Sequence, residues 1–127
     1  MSPDNAALTA QLIDKLKDKG LMVTAAESCT GGMIMAQLTD IAGASSVVDR
    51  GFVTYSNQAK SELLGVQEAT LKLYGAVSAE TAFEMVTGAS DKANGAAAIA
   101  VTGIAGPDGG SKDKPVGTVW IATSTPQ

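Results

Sequence analysis

Three residues of the kind used in nucleophilic catalysis, Ser28, Tyr55 and Lys60, stand at predicted junctions between strands and helices. The sequence contains no histidine, so a serine nucleophile needs another general base, and serine–lysine pairs are a known alternative. Ser28 precedes Gly31 and Gly32 at the predicted start of a helix. The first N–H groups of a helix have no intrahelical partner, so this turn is suited to hold an oxyanion. We therefore predict Ser28 as a nucleophile and Lys60 as its base.

The two predicted roles have plainer alternatives. Ser28 or Thr30 could serve only as the N-cap of the helix, since short hydroxyl side chains are common there. A single lysine in a helix is usually solvated. As a base, Lys60 needs a pKa lowered from about 10.4 to about 7–8, which burial or the positive end of a helix can bring about.

A glycine-rich segment, residues 102–115, follows the apolar run at residues 96–101. So long a connection costs conformational entropy when it is ordered, and a close approach of its backbone to a ligand would account for it. Thr102 stands at the predicted strand end, where its hydroxyl can hydrogen-bond a substrate. A flexible connection between two strands is the alternative.

Composition excludes several other chemistries. The lack of histidine removes Ser-His-Asp triads, Cys-His dyads and histidine-ligated zinc. Cys29 is the only cysteine and the carboxylates are scattered, so we expect no disulfide, no metal and no cofactor. The formal net charge of −4 argues against a nucleic-acid partner, and no apolar run reaches the ~20 residues that span a membrane. No export signal is recognisable at residues 1–4, so we expect a cytoplasmic location.

Hydrophobic periodicity predicts the element order α-β-α-β-α-α-β-β over the 127 residues. The strands are predicted at residues 21–26, 47–55, 96–101 and 116–123. Strands that alternate with helices favour an α/β fold of three layers, with helices on both faces of the sheet.

Two helices have recognisable start signals. Asp4 or Asn5 is expected to cap the first helix, whose buried stripe would include Leu8. Ser78 is expected to cap a long helix that places Phe83 in the core.

Five sequence blocks together resemble the CinA C-terminal domain family. They are AAESCTGG (residues 25–32), GFVTYSN (51–57) with Lys60 three positions later, GAVS (75–78), TGIAGPDGG (102–110) and KPVGTV (114–119). This competence/damage-inducible protein family includes nicotinamide mononucleotide deamidases. The resemblance spans nearly the whole chain from Leu8 onward and implies a three-layer α/β/α sandwich with a mixed sheet.

The resemblance also implies an activity and its residues. The family activity is hydrolysis of the carboxamide of nicotinamide mononucleotide to nicotinate mononucleotide and ammonia. The family's catalytic serine falls on Ser28 and its lysine base on Lys60, and Tyr55 and Thr102 match further active-site positions. The predicted substrate-binding residues are Glu27, Cys29, Thr30, Gly31, Gly32, Asn57, Gly103, Gly106, Gly109 and Gly110.

Two further classes of function stay open beside the deamidase. The chain could be a non-catalytic nucleotide-binding or interaction module, or an amidase for another small amide. We expect residues 1–127 to form one domain of this family that lacks the family's last strand and basic C-terminal helix, which leaves Arg50 as the only arginine. We also expect a homodimer.

Overall fold

A four-stranded sheet lies between two layers of helices in the computed structural model, which describes residues 1–126. The strands are β1 (Val23–Glu27), β2 (Val48–Val53), β3 (Ala97–Gly103) and β4 (Val119–Ser124). The helices are α1 (Pro3–Lys19), α2 (Met33–Thr39), α3 (Asn57–Leu64), α4 (Glu68–Tyr74) and α5 (Ala79–Lys92), and a short 3₁₀ turn spans Ala44–Ser46. The predicted three-layer α/β fold is confirmed.

The carboxyl ends of three parallel strands meet at one edge of the sheet. The strand order is β2-β1-β3-β4, with β1 parallel to β2 and β3, and β4 antiparallel to β3. Glu27, the last residue of β1, is in register with Val53 of β2 and Val101 of β3. The N–H of Ser28 continues this ladder by donating to the carbonyl of Val101 at 3.0 Å. The mixed sheet therefore places the segments after β1, β2 and β3 side by side.

The alternation of side chains along the strands builds a core on each face of the sheet. One cluster joins α1 and α2 to the sheet through Ile13, Leu16, Val23, Leu38 and Ala97. The other joins α3 and α5 to the opposite face through Ala26, Leu64, Met85, Ala98 and Ala100. Small alanine side chains occupy three β3 positions, Ala97, Ala98 and Ala100, and all three are buried between the sheet and the helices.

The start of α1 differs from the prediction. Ser2, not Asp4 or Asn5, is the N-cap, and its side-chain oxygen accepts from the N–H of Asn5 at 3.2 Å. Pro3 occupies the first helical position, where its fixed φ suits a helix and its missing N–H is not needed. Asp4 and Asn5 therefore lie within the first turn.

The predicted burial of two side chains was wrong. Leu8 of α1 is 65% exposed and Phe83 of α5 is 67% exposed. On α5 the buried stripe runs through Ala82, Met85, Val86 and Ala89, spaced three and four residues apart. Phe83 lies beside this stripe on the helix surface, as Leu8 lies beside Thr9 and Ile13 on α1. Ser78, as predicted, caps α5 by accepting from the N–H of Thr81 at 3.1 Å.

β2 and β4 are shorter than predicted. β2 ends at Val53, which leaves Thr54 and Tyr55 in the connection to α3. β4 begins at Val119 because the preceding residues form a turn in which the N–H of Thr118 donates to the carbonyl of Pro115 at 3.0 Å.

Gly88 allows α5 to pack against the end of α3. A Cβ atom at this position would stand 1.9 Å from the carbonyl oxygen of Leu64. Alanine normally stabilises a helix interior relative to glycine by about 1 kcal/mol, but here the clash reverses the sign. We expect Gly88→Ala to lower the free energy of unfolding by about 2–3 kcal/mol. Urea denaturation measures this, with the exposed neighbour Thr87→Ala as a control, and equal or greater stability of Gly88→Ala would contradict the packing argument.

Candidate active site

A buried serine–lysine pair lies at the carboxyl edge of the sheet. The Nζ atom of Lys60 is 2.9 Å from the Oγ atom of Ser28, which is hydrogen-bond distance. Ser28 is 7% exposed and Lys60 is 1% exposed. A lysine so fully buried is unusual, so the solvated-lysine alternative is wrong.

Two main-chain carbonyls hold the amine of Lys60 toward Ser28. Nζ donates to the carbonyl oxygen of Thr54 at 2.9 Å and to that of Tyr55 at 3.3 Å. Ser56 caps α3 by accepting from the N–H of Ala59 at 3.0 Å, and this cap places Lys60 on the first turn, facing back toward the connection after β2. The short loop between β2 and α3 therefore both carries the lysine and binds its amine.

Burial lowers the pKa of Lys60 from its ordinary value of 10.5, and the electrostatic interaction with Cys29 opposes this lowering. Removal from water disfavours the ammonium form because its charge loses hydration. The direction of the shift is the one that a lysine general base requires.

Glu27 lies beneath the start of α2 rather than in the cleft, which corrects its prediction as a substrate-binding residue. Its side chain is 0% exposed, and four donors surround the carboxylate. Oε1 accepts from the Thr30 hydroxyl at 2.6 Å and from the N–H groups of Gly32 and Ile34 at 3.2 and 3.0 Å, and Oε2 accepts from the N–H of Met35 at 3.0 Å. Glu27 thus takes the place of an N-cap side chain.

The N–H groups of the first turn of α2 are therefore not the oxyanion donors that the sequence suggested, because Glu27 already binds them. Neither Ser28 nor Thr30 caps α2, whose N-cap is Gly32 without a side-chain cap bond. The N–H of Gly31 donates to the carbonyl of Ser28 at 3.1 Å. Among residues 1–126, the N–H groups of Cys29 and Thr30 have no hydrogen-bond acceptor, so these two amides are the donors next to Ser28 that remain free.

A cleft of about 400 Å³ opens beside the serine–lysine pair. It gathers most of the predicted site residues. They are Ser28, Cys29, Tyr55, Asn57, Lys60, Thr102, Gly103, Gly106, Gly109 and Gly110. Thr30, Gly31 and Gly32 do not line the cleft. The Thr30 hydroxyl and the Gly32 N–H donate to the Glu27 carboxylate, and the Gly31 N–H donates to the carbonyl of Ser28.

The two further predicted catalytic residues lie at different depths in the cleft. The Tyr55 side chain is 71% exposed at the mouth, and its carbonyl rather than its phenol contacts Lys60. Thr102 is 1% exposed at the base, and its hydroxyl donates to the carbonyl of Ala76 at 2.8 Å. The donor capacity of Thr102 is therefore already used within the protein.

The glycine-rich segment forms one wall of the cleft. The N–H of Ile104 donates to Thr118 O at 2.9 Å, and the N–H of Gly117 donates back to Ile104 O at 2.7 Å, so the base of the loop is held like a hairpin. Gly110 has a φ of +83°, and a Cβ there would stand 2.9 Å from the backbone nitrogen of Val116. Within the described residues, the N–H groups of Gly106, Asp108, Gly109 and Gly110 have no acceptor. The ordered base and the free amides favour a ligand-facing loop over a flexible connection.

Sequence reasoning missed three contributors to the site. Thr54 acts through its carbonyl oxygen, for which no side-chain signal exists in the sequence. Ala76 and Val77 line the cleft from the connection before α5. Both residues belong to the GAVS block and directly precede Ser78, and this block was the sequence feature that could have indicated them.

Lys60 is the one basic side chain among the described residues that line the cleft. Arg50 lies on β2, where it pairs with Asp49 and donates to the carbonyl of Lys92 at 2.8 Å. Across residues 1–126, no three His, Cys, Asp or Glu side chains come together as a metal site requires. No helix in that part of the chain has the length and apolar character needed to cross a membrane.

The fold and the site define an α/β sandwich that presents a buried serine–lysine pair beside a glycine-rich loop. The family model described as the CinA C-terminal domain matches residues 5–127. The chain belongs to the CinA C-terminal domain family.

Named relatives share most of this chain. A protein of Enterobacter agglomerans named nicotinamide-nucleotide amidohydrolase PncC is 59% identical over 114 residues, which are 90% of this chain and 70% of that protein. The protein of the same name from Escherichia coli strain K12 is 53% identical over 93% of this chain and 72% of its own length. The crystal structure of competence/damage inducible protein CihA from Agrobacterium tumefaciens has a TM-score of 0.96 at 53% identity, covering 98% of this chain and 76% of that one.

Proposed function

We propose that this chain hydrolyses the carboxamide of nicotinamide mononucleotide to nicotinate mononucleotide and ammonia. The observation that carries the proposal is the 2.9 Å approach of Lys60 Nζ to Ser28 Oγ at the buried base of the cleft. The relatives named as nicotinamide-nucleotide amidohydrolases, at 53–59% identity, support the choice of substrate.

The neutral amine of Lys60 is the general base for the attack of Ser28. Two of its N–H bonds are directed at the carbonyls of Thr54 and Tyr55, which leaves the nitrogen lone pair for the Ser28 hydroxyl. The Ser28 proton passes to Nζ as the Oγ–carbon bond forms at the carboxamide carbon. The positive Lys60 then gives this proton to the amide nitrogen, the carbon–nitrogen bond breaks and ammonia leaves.

Deacylation repeats the proton transfer with water. Lys60 removes a proton from a water molecule that attacks the nicotinoyl ester of Ser28, and Ser28 recovers a proton as the carbon–Oγ bond breaks. Nicotinate mononucleotide leaves as a carboxylate. In both steps the free N–H group of Cys29, which lines the cleft, stabilises the tetrahedral oxyanion, and one such donor typically contributes about 3–4 kcal/mol.

The glycine-rich loop holds the nucleotide portion of the substrate. The free amides of Gly106, Asp108, Gly109 and Gly110 offer hydrogen bonds to phosphate oxygens in a cleft whose lining has little basic charge. Asn57 and Tyr55 border the open side, where they meet the pyridine ring or the ribose. We assign Tyr55 a main-chain role toward Lys60, since its phenol lies at the mouth.

The direct test is an assay of the purified chain with nicotinamide mononucleotide. We expect equal amounts of ammonia and nicotinate mononucleotide, measured by a coupled ammonia assay and by chromatography. Calorimetric binding of the nucleotide without turnover would instead indicate a non-catalytic binding module. Turnover of another amide in a substrate panel, with none of the nucleotide, would indicate a different amidase.

The rate should depend on pH through Lys60. Burial lowers the pKa of this lysine below 10.5, and only the neutral amine accepts the Ser28 proton. We therefore expect kcat/KM to rise with pH and to level off above the lowered pKa of Lys60, at a pH below 10.5. A profile that still rises at the ordinary lysine pKa would contradict the role of burial. The expected homodimer, the cytoplasmic location and the absence of a metal or cofactor stay predictions.

A further inference from the structure

We infer that Glu27 is a positioning residue for the reaction, because its carboxylate fixes the turn that carries both the nucleophile Ser28 and the free oxyanion donor, the N–H of Cys29. The inference rests on the proposed function and extends it to a side chain that never reaches the cleft. Glu27 and Ser28 are joined by one peptide bond, so a shift of one carries the other with it.

The geometry around Glu27 is that of a clamp. Its carboxylate is wholly buried and accepts from the hydroxyl of Thr30 and from the N–H groups of Gly32, Ile34 and Met35, at 2.6–3.2 Å. These four donors span the whole turn after Ser28 and the first turn of α2. Hydrogen bonds to a charged acceptor are stronger than neutral ones, so this clamp is stiff.

The strand directs the two neighbouring residues to opposite sides. Side chains alternate along a strand, so Glu27 points to the α2 layer while Ser28 points to the α3 layer, where Lys60 lies. The turn is thereby held from below by Glu27 and from the cleft side by the Lys60–Ser28 contact of 2.9 Å. Ser28 and the amide of Cys29 keep one arrangement only while both of these contacts are intact.

The clamp also selects which amides remain free. Glu27 binds the N–H groups of Gly32, Ile34 and Met35, and within the described residues those of Cys29 and Thr30 have no acceptor. Without the carboxylate, the N–H groups that it binds would need another acceptor, and the backbone of the turn would no longer be held in one conformation. Transition-state stabilisation would fall more than substrate affinity, because the oxyanion forms only during the reaction.

The test is Glu27→Gln, which preserves shape but replaces one acceptor oxygen with an NH₂ group. We expect kcat to fall by about 10- to 100-fold with KM changed by no more than about threefold. Glu84→Gln is the matched control. Glu84 also accepts from a threonine hydroxyl and a main-chain N–H, those of Thr70 and Gln67 at 2.6 and 2.9 Å, but does not line the cleft. We expect it to lower thermal stability and leave kcat within about twofold.

Thr30 provides a second variant if Glu27→Gln does not fold. Thr30→Val removes one donor to Glu27, so kcat should fall by about 3- to 10-fold, and Thr30→Ser, which keeps the hydroxyl, should restore it. An unchanged kcat in Thr30→Val would overturn the positioning role. So would a folded Glu27→Gln chain that loses as much thermal stability as Glu84→Gln but keeps the kcat of the unchanged chain.

Labelling of Ser28 by a phosphonofluoridate separates this inference from the proposed function. The phosphoryl oxygen of the probe uses the same oxyanion donor, so the labelling rate should fall in Glu27→Gln and Thr30→Val whatever the natural amide is. A chain that is labelled but does not hydrolyse the nucleotide would disprove the proposed substrate alone. Equal labelling of the two variants and the unchanged chain would disprove the role of Glu27 alone, and no labelling of the unchanged chain would disprove both.

Discussion

Ser28→Ala will lower the release of ammonia from nicotinamide mononucleotide by about 10³-fold or more. The change removes the atom that forms the bond to the carboxamide carbon. Any remaining rate enhancement then comes only from substrate binding and from the hydrogen bond to the oxyanion. Lys60 loses its contact with the Ser28 hydroxyl but keeps its two carbonyl acceptors, so the free energy of unfolding should change by about 1 kcal/mol at most. The measurements are initial rates of ammonia release and urea unfolding of the same preparations.

A control variant and a binding measurement show whether the loss of activity in Ser28→Ala is specific. Ser46→Ala removes an exposed serine in the 3₁₀ turn, away from the cleft, and should retain the full rate. Calorimetry on Ser28→Ala should still detect the nucleotide, since the glycine-rich loop is unchanged. Ammonia release by Ser28→Ala at the rate of the unchanged chain would reject Ser28 as the nucleophile.

Lys60→Met should abolish turnover to a similar degree, about 10³-fold. Methionine fills much of the space of the lysine stem but has no amine to take the Ser28 proton. The matched control is Lys72→Met, an exposed lysine of α4 outside the cleft, which should retain activity. Turnover by Lys60→Met that keeps the pH profile of the unchanged chain would show that another group is the base.

The same variant tests the burial of the Lys60 amine through stability. The pKa of Lys60 is lowered in the folded chain, so between that value and 10.5 the unfolded chain binds the proton and the folded chain does not. The resulting destabilisation is fully present below the folded pKa and disappears as pH rises toward 10.5. The stability of the unchanged chain minus that of Lys60→Met should therefore increase with pH, by at most about 1.4 kcal/mol per pH unit. Urea unfolding of both chains across this range measures the difference, and a difference independent of pH would contradict a buried neutral amine.

Local residue chemistry was enough to predict the outline of this protein. Apolar runs separated by amphipathic segments predicted the strands and helices, because burial of one face dictates the period of each element. Because the sequence contains no histidine, a serine nucleophile needs another base, and this favours a serine–lysine pair. The predictions were wrong where neighbouring residues could take the same position. Ser2 rather than Asp4 caps α1, and Phe83 lies beside the buried stripe of α5 instead of within it.

The chemistry of the pair itself depended on contacts between distant segments. Ser28 and Lys60 are 32 positions apart, and their approach depends on the parallel strands β1 and β2 ending at the same edge of the sheet. The lowered pKa of Lys60 requires its removal from water, which local sequence cannot show. The binding of the Glu27 carboxylate by four donors on one turn was likewise decided by the backbone path after β1. Residue types and their order therefore determined which groups were present, whereas the tertiary structure determined their distances, hydration and free hydrogen-bond donors, because those depend on packing between elements.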